Sequence, residues 1–508
     1  MRDWRATFAP DYATCARAYL GDLTAAALLF FGASAMAGRV WRFPFDDEIY
    51  TLQTIAHYPA LQLALAYPGR ADVHPPLSYL LFDGLWQLGV SDAGMRLVSL
   101  VMTALALALF QLLALSMMAR RGAVAPAIRL IAVLLFGLCP LALSQGDALR
   151  WYPLFALLIA LFITLYLAGG NDAARLWSAV ALGLAGSTNV LAGTVALALA
   201  IYRYGLQRRW RASFDLPYWG ITALCGAFGI YTVLSLLTAR HAIVATQLGN
   251  GILRSALTDG LGFFGGAVLG VSQAWIVVPA AAIAGVAALA AIDRKDPAAP
   301  QHVLLLMLAG AALTVLPGFD KPRSFLYLVP AVAMLVALWL DGQLRAGRVG
   351  RVLGLAALLL AASAGTIANT AHSTHPFKRA AVIPYGGIVD FIDGNGTGRV
   401  LVLSTDPVVP WVLNERPDAG RCAAYFLPAL RCRGGGQHYD SIFVVRGHSD
   451  KSAKPAVMRR FNDEVGAATA GRRKVATLRA GRDDDAALKS RLAGVTLDKT
   501  LLTVDLYR

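Results

Sequence analysis

The stretch LVSLVMTALALALFQLLALSMM, residues 97–118, decides the fold class. It carries no charged side chain, and as a helix it is long enough to cross about 30 Å of hydrocarbon. A backbone in lipid has no water to bond, so a segment of this kind has to be helical. Similar apolar runs at residues 303–316 and 352–368 indicate that the chain crosses a membrane many times.

The composition of the whole chain agrees with a membrane protein. Of the 508 residues, 57% are hydrophobic and 15% are charged, and the mean hydropathy is +0.55. A soluble globular chain carries about 25% charged residues, so an ordinary soluble fold is excluded. The net charge is +15, but the basic residues lie between the apolar runs rather than on one compact domain. This distribution favours membrane topology, and we expect no nucleic-acid partner.

The short loops that are rich in Lys and Arg indicate the orientation of the spans, because Lys and Arg accumulate on the cytoplasmic side of a membrane protein. With these loops and the N-terminus inside, the sequence predicts a multi-pass protein of a bacterial inner membrane with roughly eleven spans. Those spans are residues 20–38, 97–118, 128–143, 153–169, 176–188, 189–203, 218–238, 272–292, 302–317, 324–340 and 352–370. The two spans within 176–203 are short, so they tilt, break, or form one helix.

The predicted fold is therefore an α-helical polytopic membrane protein followed by a small C-terminal α/β domain outside the cytoplasm. The transmembrane domain covers residues 1–371, and its first external loop, 45–95, holds amphipathic runs such as 77–88 that predict interfacial helices. From residue 372 to 508 Gly, Asp and Arg become frequent. Two short apolar runs in this part predict buried strands, at residues 399–404 and 441–445.

Two cysteines, Cys422 and Cys432, lie in this external domain. An oxidising compartment permits a disulfide between them, and a pair of free thiols is the alternative.

The segment FPFDDEIY, residues 43–50, follows the first span directly. Three adjacent carboxylates repel one another and the anionic headgroups, so pairing or a divalent cation would relieve them. A carboxylate at this boundary, flanked by aromatic rings, can act as a general base on a hydroxyl. The alternative is an acidic cap on an interfacial helix that begins near Ile49.

A second segment, DVHPPLSY, spans residues 72–79. Its two prolines fix the backbone and start a helix, so His74 is held rigidly before that helix. Taken alone, this segment predicts a surface turn.

Together these segments resemble the membrane glycosyltransferases of the C superfamily, which use polyprenyl-phosphate sugars. The pattern is most similar to the protein O-mannosyltransferases and the lipid A aminoarabinose transferases. The pattern comprises the acidic Asp-Glu pair of the segment 43–50, the His-Pro-Pro segment, Arg96 at the start of span two, SQGDALRWY at 144–152 and PRSFLYLVP at 322–330. The resemblance extends over roughly residues 15–370 and depends on the order and spacing of these parts.

The resemblance implies roles for individual residues. Asp47 would be the catalytic base, with Asp46 and Glu48 as supporting carboxylates or ligands of a divalent cation. His74 stands where several relatives have a Lys that contacts the carrier phosphate, and a neutral imidazole donates only one hydrogen bond. The residues predicted to line the substrate lie in the same segments: Tyr50, Asp72, Asp147 and Tyr152.

A polyprenyl phosphodiester also needs fixed cations to stabilise its charge as it leaves. Arg150, Lys321 and Arg323 lie at external span ends and are the candidates. Snorkelling toward the headgroups is the alternative for each of them.

The predicted function is transfer of a single hexosyl or pentosyl group from a polyprenyl-phosphate carrier to a hydroxyl of a lipid, glycan or protein acceptor. The transfer would take place on the extracytoplasmic face, with inversion at the anomeric carbon. Two alternatives stand beside it: a lipid or sugar transporter or flippase, and a polymerase or ligase of surface polysaccharide. Transporters place ionisable groups at mid-membrane, whereas the polar clusters here lie at span ends.

Overall fold

The computed structural model of the chain describes most of its helices and strands. The described residues are 20–21, 23–24, 27–28, 30–34, 46–65, 74–119, 128, 137, 142, 145–168, 171–238, 301–315, 326–351, 381–406, 408–414, 420–425, 438–447, 455–483 and 500–508. They belong to two compact units, which are residues 1–40 with 54–371 and residues 41–53 with 372–508.

Every regular element described in the first unit is a helix, as apolar sequence in lipid requires. The helices are α1 Asp46–His57 (in this unit from residue 54), α2 Ala60–Leu65, α3 Leu77–Gln87, α4 Asp92–Ala119, α5 Trp151–Ala168, α6 Asp172–Gly186, α7 Ala192–Ala200, a π-helix Ile201–Leu206, α8 Ala212–Cys225, α9 Ala227–Thr238, α10 Gln301–Val315 and α11 Val329–Arg345.

Several of these helices are apolar enough to cross a membrane. Among the described residues, Asp92–Leu113 and Leu326–Leu344 are long enough to do so, and α8 with α9 forms a third candidate that is bent by 63°. Shorter apolar helices cover Trp151–Leu167 and Ala192–Leu206. The predicted span 20–38 lies partly outside the described residues, and the spans 128–143, 272–292 and 352–370 lie largely or wholly outside them. The number of spans therefore stays a prediction.

The predicted spans 176–188 and 189–203 form two separate helices, α6 and the pair of α7 with the π-helix. Helix α6 begins with a side-chain cap, because Asn171 accepts a hydrogen bond of 2.8 Å from the Ala174 amide. The alternative of one helix over residues 176–203 is therefore wrong.

Helix α6 packs closely against the bent pair α8 and α9 through glycines. A Cβ atom on Gly229 would lie 2.3 Å from the Gly186 carbonyl oxygen, and one on Gly183 would lie 2.6 Å from that of Thr222. Since backbone cannot move aside as a flexible side chain does, only glycine fits at these crossings.

Replacing Gly229 with Ala is expected to lower stability by about 1–3 kcal/mol or more, because the added methyl overlaps the Gly186 backbone. Gly220→Ala on α8 is the matched control, since a Cβ there meets nothing within 4 Å. Thermal unfolding of both variants in detergent measures the difference. Equal Tm values for the two would show that the helices do not cross at these glycines.

The second unit is a six-stranded sheet with helices on both faces. Its strands run in the order β1-β5-β6-β4-β2-β3, with β2 parallel to both β3 and β4, and with β4, β6, β5 and β1 paired antiparallel. The elements are β1 Ala381–Val382, α12 Tyr385–Asn395, β2 Val400–Ser404, α13 Val408–Asn414, β3 Arg421–Tyr425, β4 Ser441–Arg446, α14 Pro455–Thr469, β5 Lys474–Asp483 and β6 Thr500–Tyr507.

Alternate residues of β2 point to opposite faces of this sheet and enter two apolar cores. Val402 packs with residues of α12 and α13, whereas Leu403 packs with residues of α14. Both predicted strands are present as β2 and β4. All of β2 is buried, and so is all of β4 except its last residue, Arg446, because both are central strands of a sheet covered on two sides.

The start of α1 belongs to this unit, although the sequence placed it in the first external loop. Ile49 has no exposed surface and packs in the apolar core with residues of α12 and α13. The helix begins at Asp46 rather than near Ile49, so the acidic residues form its first turn, where carboxylates are favourable.

Cys422 on β3 is disulfide-bonded. Its predicted partner, Cys432, lies outside the described residues.

Candidate active site

In the first unit the His-Pro-Pro segment packs against the start of α5. The imidazole of His74 lies 5.4 Å from the Trp151 ring, centroid to centroid, and Pro75 and Pro76 are buried. A surface turn, the reading expected of this segment alone, is therefore wrong. Pro76 directly precedes the first residue of α3, and the fixed backbone of the two prolines holds His74 beside Trp151.

The turn between α6 and α7 completes the surroundings of His74. The Asn189 side-chain amide lies 3.4 Å from His74 Nδ1, and the Ser187 carbonyl accepts a hydrogen bond of 3.1 Å from the Leu77 amide. An amide NH₂ group donates, so this contact fits an imidazole that carries its proton on Nε2. That proton is the single donor that a neutral His74 can offer.

Arg150 enters the same region from the segment before α5. Its guanidinium donates to the Tyr79 hydroxyl at 3.4 Å, and its side chain is 8% exposed. A snorkelling arginine places its guanidinium among the lipid headgroups, whereas the guanidinium of Arg150 lies inside the protein. The snorkelling alternative is therefore wrong for Arg150, and a buried cation of this kind needs polar or anionic company.

We refer to His74, Tyr79, Arg150, Trp151 and Asn189 as the His74–Arg150 cluster. Its members come from three parts of the chain that are far apart in sequence, at residues 74–79, 150–151 and 189. Convergence of polar side chains from separate helix ends is what binding sites of helical membrane proteins require.

The segment that precedes Arg150 is fixed against α4. Thr103 donates a 2.8 Å hydrogen bond to the Gly146 carbonyl, and Gln145 and Asp147 are 1% exposed. A Cβ on Gly146 would lie 2.3 Å from the Ala142 carbonyl oxygen and 3.1 Å from Thr103. There is no room for a side chain at position 146, and the acidic residue of this segment is the next one, Asp147.

The late segment reaches the cluster through an aromatic contact. Phe155 lies 5.6 Å from Trp151 and 4.8 Å from Tyr327, edge to face in both pairs. Tyr152 is buried beside Trp151, with ring centroids 4.3 Å apart. Edge-to-face rings of this kind make a rigid wall for the site.

The other predicted site residues are placed as follows. Glu48 is buried and Tyr50 is 38% exposed, both on α1 in the second unit. Asp46 and Asp47 are in the first turn of α1, and their side chains lie outside the described residues, as do Asp72, Lys321 and Arg323. Arg96 is 1% exposed and pairs with Asp92 at 3.0 Å, which fixes the first turns of α4.

A divalent cation at the acidic segment stays a prediction. No group of three or more His, Cys, Asp or Glu residues able to hold a metal occurs within the described ranges, which leave out the side chains of Asp46 and Asp47.

Sequence reasoning missed Asn189 and gave Tyr79 and Trp151 no role. Asn189 ends the polar triplet Ser187-Thr188-Asn189 between two apolar helices, which was a usable signal. Nothing local links it to His74, since the two residues are far apart in the chain and meet only after folding.

An apolar groove opens next to the cluster. Residues of α6, α7, α8 and α9 line a cavity of about 510 Å³, among them Gly186, Val190, Gly193, Ile230 and Leu234. Gly186 and Val190 flank the turn at residues 187–189 that contacts His74. Val190, Ile230 and Leu234 are between 37% and 55% exposed, so the groove faces outward along these helices.

Comparison with solved structures identifies the class of fold. The chain matches ArnT from Cupriavidus metallidurans bound to undecaprenyl phosphate with a TM-score of 0.52 at 14% identity, over 96% of this chain and 97% of that one. The apo form of ArnT gives 0.50 at 15% identity, over 95% and 98%. The Archaeoglobus fulgidus oligosaccharyltransferase, in complex with Zn and sulfate, gives 0.50 at 14% identity, over 83% and 68%.

The chain therefore shares the fold of ArnT and of the Archaeoglobus fulgidus oligosaccharyltransferase, which agrees with the fold that the resemblance of its motifs implies. The match to ArnT extends over nearly the whole of both chains. No protein-family model and no curated protein matches the sequence.

Proposed function

We propose that this protein is a glycosyltransferase that moves a single hexosyl or pentosyl group from a polyprenyl-phosphate carrier to an acceptor hydroxyl. The observation that carries the proposal is the His74–Arg150 cluster, in which Arg150 is buried and bonded to Tyr79. A buried guanidinium suits a phosphodiester, because it offers two parallel donors at fixed positions. ArnT, which has this fold, has been solved with undecaprenyl phosphate bound.

The reaction proceeds in one displacement. Asp47 takes the proton of the acceptor hydroxyl, whose oxygen attacks the anomeric carbon. The bond between that carbon and the phosphate oxygen breaks, and its electron pair stays on the departing polyprenyl phosphate. Arg150 and the Nε2–H donor of His74 stabilise this phosphate, and the anomeric carbon is inverted. Asp46 and Glu48 support Asp47, while Lys321 and Arg323 add positive charge.

The protein works in a bacterial inner membrane, with its N-terminus in the cytoplasm and its second unit outside. The cluster then lies at the extracytoplasmic ends of α5 and α6, where a polyprenyl phosphate keeps its charge at the headgroup plane. The acceptor is a lipid, glycan or protein of the cell envelope. A transporter would hold its ionisable groups at mid-membrane.

Mass spectrometry of cell-envelope lipids and glycans, with and without the protein, tests this function. When the gene is deleted, we expect one envelope species to be replaced by a species that is lighter by one sugar residue. The polyprenyl-phosphate sugar that serves as its donor should accumulate. An unchanged envelope, with unchanged polyprenyl-phosphate pools, would reject the proposal.

The apolar groove supports a lipid-linked donor, because its wall is apolar and two of its lining residues, Gly186 and Val190, flank the turn that contacts His74. Gly193→Leu is expected to raise the KM for a long-chain polyprenyl donor by about ten-fold, since the new side chain fills a space where a Cβ meets no atom within 4 Å. The KM for a donor with a short prenyl chain should change little.

Gly220→Leu provides the control for this comparison. A Cβ on Gly220 also meets no atom within 4 Å, and Gly220 does not line the groove. Equal KM values for long-chain and short-chain donors in both variants would show that the carrier chain lies elsewhere.

A further inference from the structure

A basic turn lies at the far end of α6 from the His74–Arg150 cluster. Residues 207–211, Gln-Arg-Arg-Trp-Arg, join the π-helix to α8, and we name them the 207–211 turn. Arg211 lies 3.4 Å from Asp172, the first residue of α6, while the residue after the end of α6 is Ser187 beside the cluster. A helix of this length separates the two by about 22 Å.

The turn is held by a buried ion pair. Arg203 is paired with Asp215, and the Tyr204 hydroxyl donates to the same carboxylate at 3.1 Å. The Arg211 amide donates to the second oxygen of Asp215 at 2.5 Å, so the carboxylate bonds to both the π-helix and the end of the turn. Burying an ion pair costs free energy, because both charges lose their hydration. We therefore interpret the Arg203–Asp215 pair as fixing the geometry of the turn rather than only adding stability.

The backbone of the turn is constrained in a second way. Arg208 has a φ of 51°, in the left-handed region that non-glycine residues rarely adopt. Strain of this sort persists only where the surroundings impose it, and it is concentrated at functional positions. The Arg209 amide bonds to the Arg203 carbonyl at 3.1 Å, which holds the next residue as well.

The side chains that the turn presents are cationic and aromatic. Arg208 and Arg209 are exposed, and neither makes a side-chain hydrogen bond or ion pair with any residue that the structure describes. Trp210 is 58% exposed, with its ring 5.3 Å from Tyr204, and Trp177 on α6 is 66% exposed. Exposed tryptophans beside arginines are typical of the membrane–water interface, where the ring meets the lipid and the guanidinium meets a headgroup.

We propose that the 207–211 turn binds the phosphate of an anionic phospholipid headgroup in the leaflet opposite the candidate active site. Arg208 and Arg209 contact the phosphate oxygens, and Trp210 lies at the level of the glycerol backbone. The Arg203–Asp215 pair positions the turn and does not itself touch the lipid. This site is separate from the sugar-transfer site and does not depend on the proposed function.

Native mass spectrometry of the purified full chain in detergent tests the site. Phosphatidylglycerol and phosphatidylcholine with identical acyl chains are titrated separately. We expect the wild type to prefer phosphatidylglycerol, and the double variant Arg208→Asn with Arg209→Gln to lose about 30-fold of its phosphatidylglycerol affinity, about five-fold per arginine. Asn is chosen at 208 because it tolerates the left-handed region.

The control is Arg348→Gln with Arg351→Gln, which removes the same charge from another exposed basic loop. The proposal predicts that this control keeps the wild-type preference. Equal losses in the two double variants would overturn it, since net charge would then explain the binding. Unchanged binding in the Arg208 and Arg209 variant would overturn it too, as would displacement of the bound lipid by inorganic phosphate at the lipid's concentration.

Discussion

Replacing Asp47 with Asn is expected to lower the rate of sugar transfer by about 10²–10⁴-fold, the usual contribution of a general base. The amide keeps the size of the carboxylate and cannot accept the hydroxyl proton. Donor binding should change little, because the carrier phosphate is assigned to cations in the first unit. Turnover of a synthetic polyprenyl-phosphate sugar by the purified variant measures the effect.

The control for Asp47 is Asp390→Asn on α12, which removes an exposed carboxylate from the same unit. It is expected to retain wild-type turnover. An Asp47→Asn protein that folds normally and turns over at the wild-type rate would remove Asp47 from the mechanism.

The second large effect is expected at Arg150. Changing it to Gln should reduce kcat by about 10²–10³-fold, as loss of one fixed donor to a developing negative charge does in other enzymes. The charge on the leaving phosphate grows in the transition state, so kcat should fall by more than KM rises. Steady-state kinetics with purified protein in nanodiscs separates the two parameters.

Tyr79→Phe and Arg348→Gln accompany this measurement. Tyr79→Phe removes the hydroxyl that accepts from Arg150 and is expected to cost about ten-fold or less, because the cation itself remains. Arg348 is exposed, and its replacement should leave the kinetics unchanged. A folded Arg150→Gln protein with wild-type kcat would show that this guanidinium has no part in leaving-group stabilisation.

The sequence predicts the apolar helices and the central strands well, because both are continuous apolar runs. It sets the start of one helix too late. The predicted span begins at residue 97, whereas α4 begins at Asp92, since the charge of Arg96 is buried and paired with Asp92 inside the first turns. A prediction from hydropathy treats every charged side chain as exposed to solvent, so it ends the apolar span at Arg96. Because Arg96 is buried and paired with Asp92, the helix continues past it.

Strands β1, β5 and β6 are not among the strands that the sequence predicts, for a related reason. On β5, Ala480 is buried in the core while Arg479 beside it is exposed, so the strand alternates instead of forming an apolar run. A strand with one face exposed to solvent has a composition similar to that of a polar loop, so composition alone does not distinguish the two.

At the candidate site, the sequence predicts the segments but not their partners. His74 and Arg150 could be selected because each lies in a recognisable segment, whereas their contacts with Asn189 and Tyr79 depend on how helices pack. The aromatic wall from Trp151 to Tyr327 is likewise a result of tertiary packing. Only the fold places these residues together.

The most direct test of the central claim is release of polyprenyl phosphate by the purified full chain. Protein in nanodiscs is mixed with a panel of polyprenyl-phosphate sugars and an envelope extract as acceptor, and free polyprenyl phosphate is quantified. We predict release with one sugar class by the wild type, and a rate of release by Asp47→Asn that is lower by about 10²–10⁴-fold. Intact donors throughout the panel with a correctly folded wild-type protein would contradict the assignment as a glycosyltransferase.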